Sequence, residues 1–426
     1  MLTARRLLAS SLLLFIGCGG GSRPGPTPTH GNLAINYQLW PYCDEEQWTT
    51  GTSLVDPDVG SFLQAAATRW PGGIGRFARH LLDLAQVPRP PYIEALDTRV
   101  PGDDLDFTGL PLDYWAPGIP FLYARTGWDT NATSLLLQLA QVPGSGHQHQ
   151  DYGSFQMWRA GHWMTRETVT YGDPVPGWKA VGQEAGSKGH AHNVILFEGI
   201  GTHAEYYDGP DNYGDGPAVV PRMGRGTDFA YAVTDLGKAY RSHASNYLED
   251  GTTPRITDAA QVHKTFLLHS EAPLALSPLV GAPAFTSYTA TSGTSLLRCT
   301  TVLPANPTAQ VIDEGMAMAT NTLSPDLAQY RLEVTTSGAA QSTFLHVLQA
   351  RDGTGADVVP SLSEDASSYT LTLTQGGATA RVVFQKGMTS SGGSFGYAAT
   401  GTPTLVPLPT GVQTITVTDN GPVWGM

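Results

Sequence analysis

His147-Gln148-His149-Gln150-Asp151-Tyr152-Gly153-Ser154-Phe155-Gln156-Met157-Trp158-Arg159-Ala160-Gly161 sets two imidazoles and a carboxylate directly ahead of a short apolar run that ends in a turn. In extended backbone, residues at i, i+2 and i+4 face one side at intervals of about 6.5–7 Å. His147, His149 and Asp151 therefore share a face. Ser154 to Trp158 reads as a strand, and Arg159-Ala160-Gly161 as the turn that follows it. A polar strand edge with solvated histidines would look similar, but two imidazoles and a carboxylate at this spacing favour a site.

Working outward, the same alternation of short apolar runs and turn residues recurs. Phe121 to Arg125, Thr133 to Leu139, Asn193 to Phe197, Lys264 to His269, Tyr330 to Val334, Phe344 to Leu348, Tyr369 to Leu373, Ala380 to Phe384 and Gln413 to Val417 are such runs. Many strands with turn signals and no intervening helices predict a mainly β fold, a large antiparallel sandwich. No repeat of fixed period argues for a propeller or solenoid. Between Asp58 and Val87 the period changes: Phe62, Ala65, Ala66 and Trp70, then Phe77, Leu81, Leu84 and Ala85, recur at helical spacing around Pro71-Gly72-Gly73. The sandwich is thus preceded by a short α-helical segment. Pro88 to Pro120, rich in proline and aspartate, reads as an irregular connector. The expected organisation is a leader at 1–18, a tether at 19–30, a short helical region and connector at 31–116, and the sandwich at 117–426.

Nine of the twelve histidines lie between His147 and His269. Gly189-His190-Ala191-His192-Asn193-Val194-Ile195-Leu196-Phe197 repeats the arrangement of histidines leading into an apolar strand, so the two histidine segments could meet at one end of adjacent strands. Neutral imidazoles with a carboxylate form a familiar first shell for zinc. Glu167, one hairpin beyond the first histidine pair, is the carboxylate candidate; its bland alternative is a surface glutamate pairing with Arg166 or Lys179. There is no P-loop, dinucleotide-binding glycine fingerprint, His-Glu-x-x-His or nucleophile elbow.

Arg5 and Arg6 followed by the apolar Leu7 to Ile16 read as an export signal, too short for a stable membrane span. Gly17-Cys18 at its end resembles a bacterial lipobox, in which the cysteine is acylated; an ordinary secretory signal is the alternative. The expected location is a Gram-negative periplasm or outer membrane, reached through a lipid anchor, with Gly19 to Thr29 as the tether. Cys43 and Cys299 remain, and an oxidising compartment permits them to pair. No Cys-x-x-Cys is present, so any metal sits on histidine and carboxylate. A net charge of −13, with 14% charged residues, argues against nucleic acid as a partner. Arg125, Arg159, Arg166, Lys179 and Lys188 nevertheless concentrate positive charge in the histidine-rich segment. Oligomeric state is not legible.

Arg125-Thr126-Gly127-Trp128, then His147 to Phe155, then Glu167 to Tyr171, then His192-Asn193, resemble in order and spacing the motifs of the heparinase II/III-like polysaccharide lyases. The resemblance covers approximately residues 117–400. It implies that the sandwich is that family's supersandwich, that His147 faces substrate, and that His149, Glu167 and His192 hold a structural zinc. Glu167 stands where the family usually has aspartate, and the α/α toroid that precedes the family's sandwich is reduced to the two helices. The activity implied is β-elimination on an acidic, uronate-containing polysaccharide. Such chemistry needs a neutralising donor, a base and an acid. His147, Tyr152 and Tyr171 are the catalytic candidates, and Arg125, Trp128 and Asp151 the substrate-binding ones. Two other readings are open: a carbohydrate-binding surface lipoprotein that keeps the zinc-stabilised sandwich without catalysis, and a metal-dependent hydrolase built on the same histidines.

Overall fold

The computed structural model describes residues 10–16, 64, 67, 79, 82, 112–116, 120–129, 131–139, 149–167, 189–199, 201–202, 219–237, 239–240, 261–314, 329–387, 392–413, 415–418 and 421–424. Cys18, Cys43, His147 and Tyr171 lie outside the described residues. Among the described residues the fold is mainly β and built from antiparallel sheets, as the periodicity predicts.

β1 (Ser10–Ile16), the apolar stretch read as part of an export signal, runs antiparallel to β9 (Phe229–Asp235), which also pairs with β8 (Val219–Arg225). A second sheet is a meander of β2 (Asp113–Ala116), β3 (Phe121–Arg125), β4 (Thr133–Gln138), β5 (Phe155–Arg159) and β6 (His162–Thr165). A third has the order β14 (Thr308–Asp313), β15 (Tyr330–Thr336), β10 (Lys264–Ser270), β7 (Ile195–Phe197). A fourth joins β11 (Ala275–Leu276), β12 (Thr286–Ser292), β13 (Ser295–Leu303) and β16 (Leu345–Asp352). β17 (Val359–Glu364), β18 (Ser368–Gln375), β19 (Ala378–Gln385), β20 (Gly393–Ala398) and β21 (Val406–Pro407) make a fifth, and β22 (Ile415–Thr418) with β23 (Gly421–Trp424) a final hairpin.

β2 corrects the sequence reading. In place of an irregular connector running to Pro120, Asp113–Ala116 pairs with β3 and buries Asp113 and Trp115 while Tyr114 points outward. Four residues between Pro111 and Pro117 alternate too briefly to stand out as a strand. The helical expectation for 58–87 meets four described residues, Gln64, Ala67, Arg79 and Leu82; all are helical and buried, and the Arg79 guanidinium donates to the Ala67 carbonyl at 2.7 Å. Among the described residues no helix is long and apolar enough to cross a membrane.

The sheet β2–β6 is buried on both faces around β4 and β5. One face delivers Leu122, Leu135, Leu137, Phe155 and Met157 to a core shared with Phe266 and Leu268 of β10, Leu332 and Val334 of β15, and Leu297 and Cys299 of β13. Burial pushes the Cys299 thiol up to about 12, so it behaves as a core apolar group. The opposite face carries Ser134, Leu136 and Gln138 of β4 opposite Gln156 and Trp158 of β5, all buried and mostly polar. This polar interior face is where the site sits. The β5–β6 hairpin closes through Ala160 (φ 47°) and Gly161 (φ 89°), two positive-φ residues between the paired Arg159 and His162, as a two-residue turn of matching twist requires.

Candidate metal centre and its surroundings

His149 and Asp151 come just before β5, where a tight turn begins. The Ser154 N–H donates to the Asp151 carbonyl at 2.8 Å, and Gly153 adopts φ 82°. Glycine is required there twice over: the conformation is left-handed, and a Cβ would lie 2.8 Å from Leu236 Cδ1. The turn drives Asp151 inward. Its carboxylate is fully buried and accepts a hydrogen bond from Gln138 Nε2 of β4 at 3.1 Å.

Glu167 follows the end of β6 by two residues. Arg166 turns away to pair with Glu271 at 2.7 Å, so the surface-pair alternative for Glu167 with Arg166 does not apply. The Glu167 side chain is buried instead, its Oε2 3.2 Å from His192 Nδ1. His192 arrives from the 3-10 turn Gly189–Ala191 that precedes β7. That turn is tied to the first motif by Gln150 Oε1, which accepts from the Gly189 N–H at 2.9 Å, and Gly189 packs so closely on Gly201 that a Cβ would meet its Cα at 2.8 Å.

The two histidine-bearing segments thus meet, but not on adjacent strands as expected: β5 and β7 belong to different sheets. One ligand atom from each of Asp151, Glu167 and His192 lies within 4.8 Å of the others. The His149 ring sits beside them, its centroid 5.3 Å from that of His192. Burial, together with the neighbouring Glu167, pushes the Asp151 carboxyl up to about 8, and burial pushes Glu167 up to about 8 against the lowering influence of His149 and Ser154. Both Glu167 oxygens are buried, with the Ser154 hydroxyl and the His192 ring as polar neighbours and, among the described residues, no cationic side chain against them. A buried carboxylate in that condition is costly, and a cation is the group that would satisfy it. The donor set, two carboxylates and imidazoles, suits zinc.

Asn193 locks the arrangement. Its Nδ2 donates to the Phe155 carbonyl at 2.7 Å and to Thr165 Oγ1 at 2.8 Å, while its Oδ1 accepts from the His269 backbone N–H at 2.7 Å. Where the β7–β10 ladder ends, after Leu267 N–H meets the Val194 carbonyl, this carboxamide supplies the next acceptor. The His269 ring spans two acceptors, with Nε2 2.8 Å from the His190 carbonyl and Nδ1 3.1 Å from Asn193 Oδ1. Burial, reinforced by Arg331, holds that imidazole well below its usual range, so it is a neutral structural donor.

The other site candidates fare differently. Arg125 stacks its guanidinium 3.9 Å over the Trp128 ring, both partly exposed. Asp151, expected on the substrate face, is placed among the metal-type ligands. Tyr152, expected as a catalytic candidate, packs with Leu236, Ala239 and Tyr240 and is 5% exposed. Both side chains are buried, Asp151 beside Glu167 and His192 and Tyr152 in an apolar cluster, so neither lies on an exposed face. His147 and Tyr171 are not among the described residues. Sequence reasoning passed over Gln138, Gln150 and His269; only the His-Asn pair leading into β7 gave any signal for the locking network.

No family model and no curated protein sequence matches the chain. Among solved structures it is similar to a heparan sulfate lyase from Pedobacter heparinus, with a TM-score of 0.50 and 12% identity over 82% of this chain and 50% of that one. A heparinase III structure aligns with a TM-score of 0.45 and 11% identity over 77% of this chain and 48% of that one. The first likeness shows a heparinase-like fold. The chain spans about half the length of the solved structures it matches.

Proposed function

We propose that this chain is an exported polysaccharide lyase-like protein that takes an acidic, uronate-containing polysaccharide and cleaves it by β-elimination. The observation that carries the reading is the convergence of His149, Glu167 and His192, three residues on separate motifs, into one buried cluster with Asp151. The heparinase-like fold supports it, and so does the Arg125–Trp128 pair at the partly exposed end of β3. Zinc held by His149, Glu167 and His192 would supply cross-linking of β5, β6 and β7 and no reacting oxygen, because these side chains are buried. The chemistry falls to groups outside that cluster. Arg125 pairs with a sugar carboxylate in bidentate fashion in this reading, which favours the enolate-like charge that develops when the neighbouring proton leaves. His147 serves as neutraliser or base, and Tyr171 as the acid that protonates the departing glycosidic oxygen. Export and membrane anchoring through Cys18 belong to the same proposal.

The test is ultraviolet absorbance of the unsaturated uronate product, followed with purified protein against alginate, heparan sulfate, chondroitin and hyaluronan. The expected result is a rise with one polymer that disappears in His147→Ala. A flat trace from folded, metal-loaded protein that still binds one of these polymers would replace cleavage by carbohydrate binding.

A further inference from the structure

The zinc reading above assigns three ligands, which leaves a fourth position to a water molecule and hence to exchange. The geometry points to a different ending: we infer that the Asp151 carboxylate is itself a ligand, so that the cation is enclosed by His149, Asp151, Glu167 and His192 with no position open to solvent. This inference rests on the zinc reading and goes further by naming the residue that closes the site.

Three observations support it. Among the described residues one ligand atom from each of Asp151, Glu167 and His192 lies within 4.8 Å of the others, which puts the Asp151 carboxylate inside the donor group; the His149 ring flanks that group, its centroid 5.3 Å from that of His192. All four side chains are nearly inaccessible, at 2% for His149, 0% for Asp151, 1% for Glu167 and 0% for His192. Gln138 donates to Asp151 Oδ2 at 3.1 Å, the kind of outer hydrogen bond that orients a ligating carboxylate. Charge agrees with this arrangement. Two buried carboxylates of like sign repel across so short a gap, and one divalent cation with two neutral imidazoles brings the enclosed group to zero net charge. A closed set of four protein ligands is the signature of a structural site, whereas a catalytic one keeps a position for water.

The experiment uses the full chain as purified, with metal content by mass spectrometry and the Co2+-substituted protein by visible absorbance. Wild type is expected to carry one metal per chain and to show the intense bands of four-coordinate Co2+, unchanged by added azide. Loss of an outer partner alone costs roughly 10–100-fold in metal affinity, so Asp151→Asn is expected to lose at least about 100-fold. Its Co2+ spectrum should become azide-sensitive. Asp151→Cys should acquire a thiolate-to-cobalt charge-transfer band, a positive signature that stands even if the asparagine variant folds poorly. An azide-sensitive wild type, or Asp151→Asn with wild-type affinity, would overturn the assignment of Asp151 while leaving the zinc reading in place. Folded wild type that takes up no zinc or cobalt would overturn both.

Discussion

Replacing Asn193 by alanine should destabilise the protein severely without touching any ligand. The carboxamide serves three buried partners: the Phe155 carbonyl at 2.7 Å, Thr165 Oγ1 at 2.8 Å and the His269 N–H at 2.7 Å. A hydroxyl can rotate toward another partner, but a backbone carbonyl and N–H held in strands cannot. Each buried group left without a hydrogen bond costs about 1–3 kcal/mol, so the two that cannot re-pair sum to about 2–6 kcal/mol. For a chain this large each kcal/mol lowers the melting temperature by roughly 2 °C, giving a fall of roughly 4–12 °C. Differential scanning calorimetry on wild type, Asn193→Ala and Asn193→Asp would measure it. The aspartate keeps an acceptor for His269 but sets a carboxylate against the Phe155 carbonyl, so it should be worst at neutral pH and partly recover in acid. If Asn193→Ala melted within about 2 °C of wild type, the claim that this side chain joins the sheets would be wrong.

Chelator-treated protein should lose stability as pH rises. Asp151 and Glu167 are raised from 3.8 and 4.5 to about 8 in the folded chain, so stability is full below about pH 4 and declines toward pH 8, by up to about 1.4 kcal/mol per pH unit for each proton retained; a flat or rising profile in thermal melts across that range would count against it. With zinc bound the trend should invert, because the ligands bind as their deprotonated forms. His147→Ala should remove eliminative cleavage and leave the melting temperature in place, whereas His149→Ala and His192→Ala should lower metal content and stability together; equal destabilisation by all three would erase that division of roles. Gly153→Ala should cost more than about 1 kcal/mol, since the residue sits at φ 82° with Leu236 Cδ1 2.8 Å from the added carbon, and a denaturation midpoint matching wild type would contradict it. Cys18→Ser should abolish acylation in a Gram-negative host, read as the loss of lipid mass on the intact protein; unchanged mass would refute the anchor.

The sheets were legible because their apolar runs are short, punctuated and too numerous to be anything else. Phe155 and Met157 face a core, as the alternation from Ser154 to Trp158 implies. The meeting of the two histidine-bearing segments was legible too, since both precede apolar strands. What periodicity could not supply was direction after a turn. His149 and Asp151 do reach one cluster, as extended spacing predicts, whereas the left-handed turn at Gly153 accompanies the packing of Tyr152 against Leu236, which alternation does not announce. Glu167 stands out in the sequence as a ligand candidate, but its neighbour Arg166 leaves a surface pair open as the alternative, and only the position of Glu271, far onward in the chain, shows that the arginine is otherwise engaged. Gln138 and His269 were illegible for the same reason: their meaning lies in partners brought by distant strands.

The contact made by Asn193 has a consequence for uniqueness. Two sheets meeting through leucine and phenylalanine alone can slide past one another by a fraction of a side chain with little change in buried area, because the hydrophobic effect has no preferred direction. A carboxamide that must meet one carbonyl on β5, one hydroxyl on β6 and one N–H on β10 permits a single offset. The apolar face supplies the driving force for the sheets to associate, and one planar amide selects which of the closely similar associations is native.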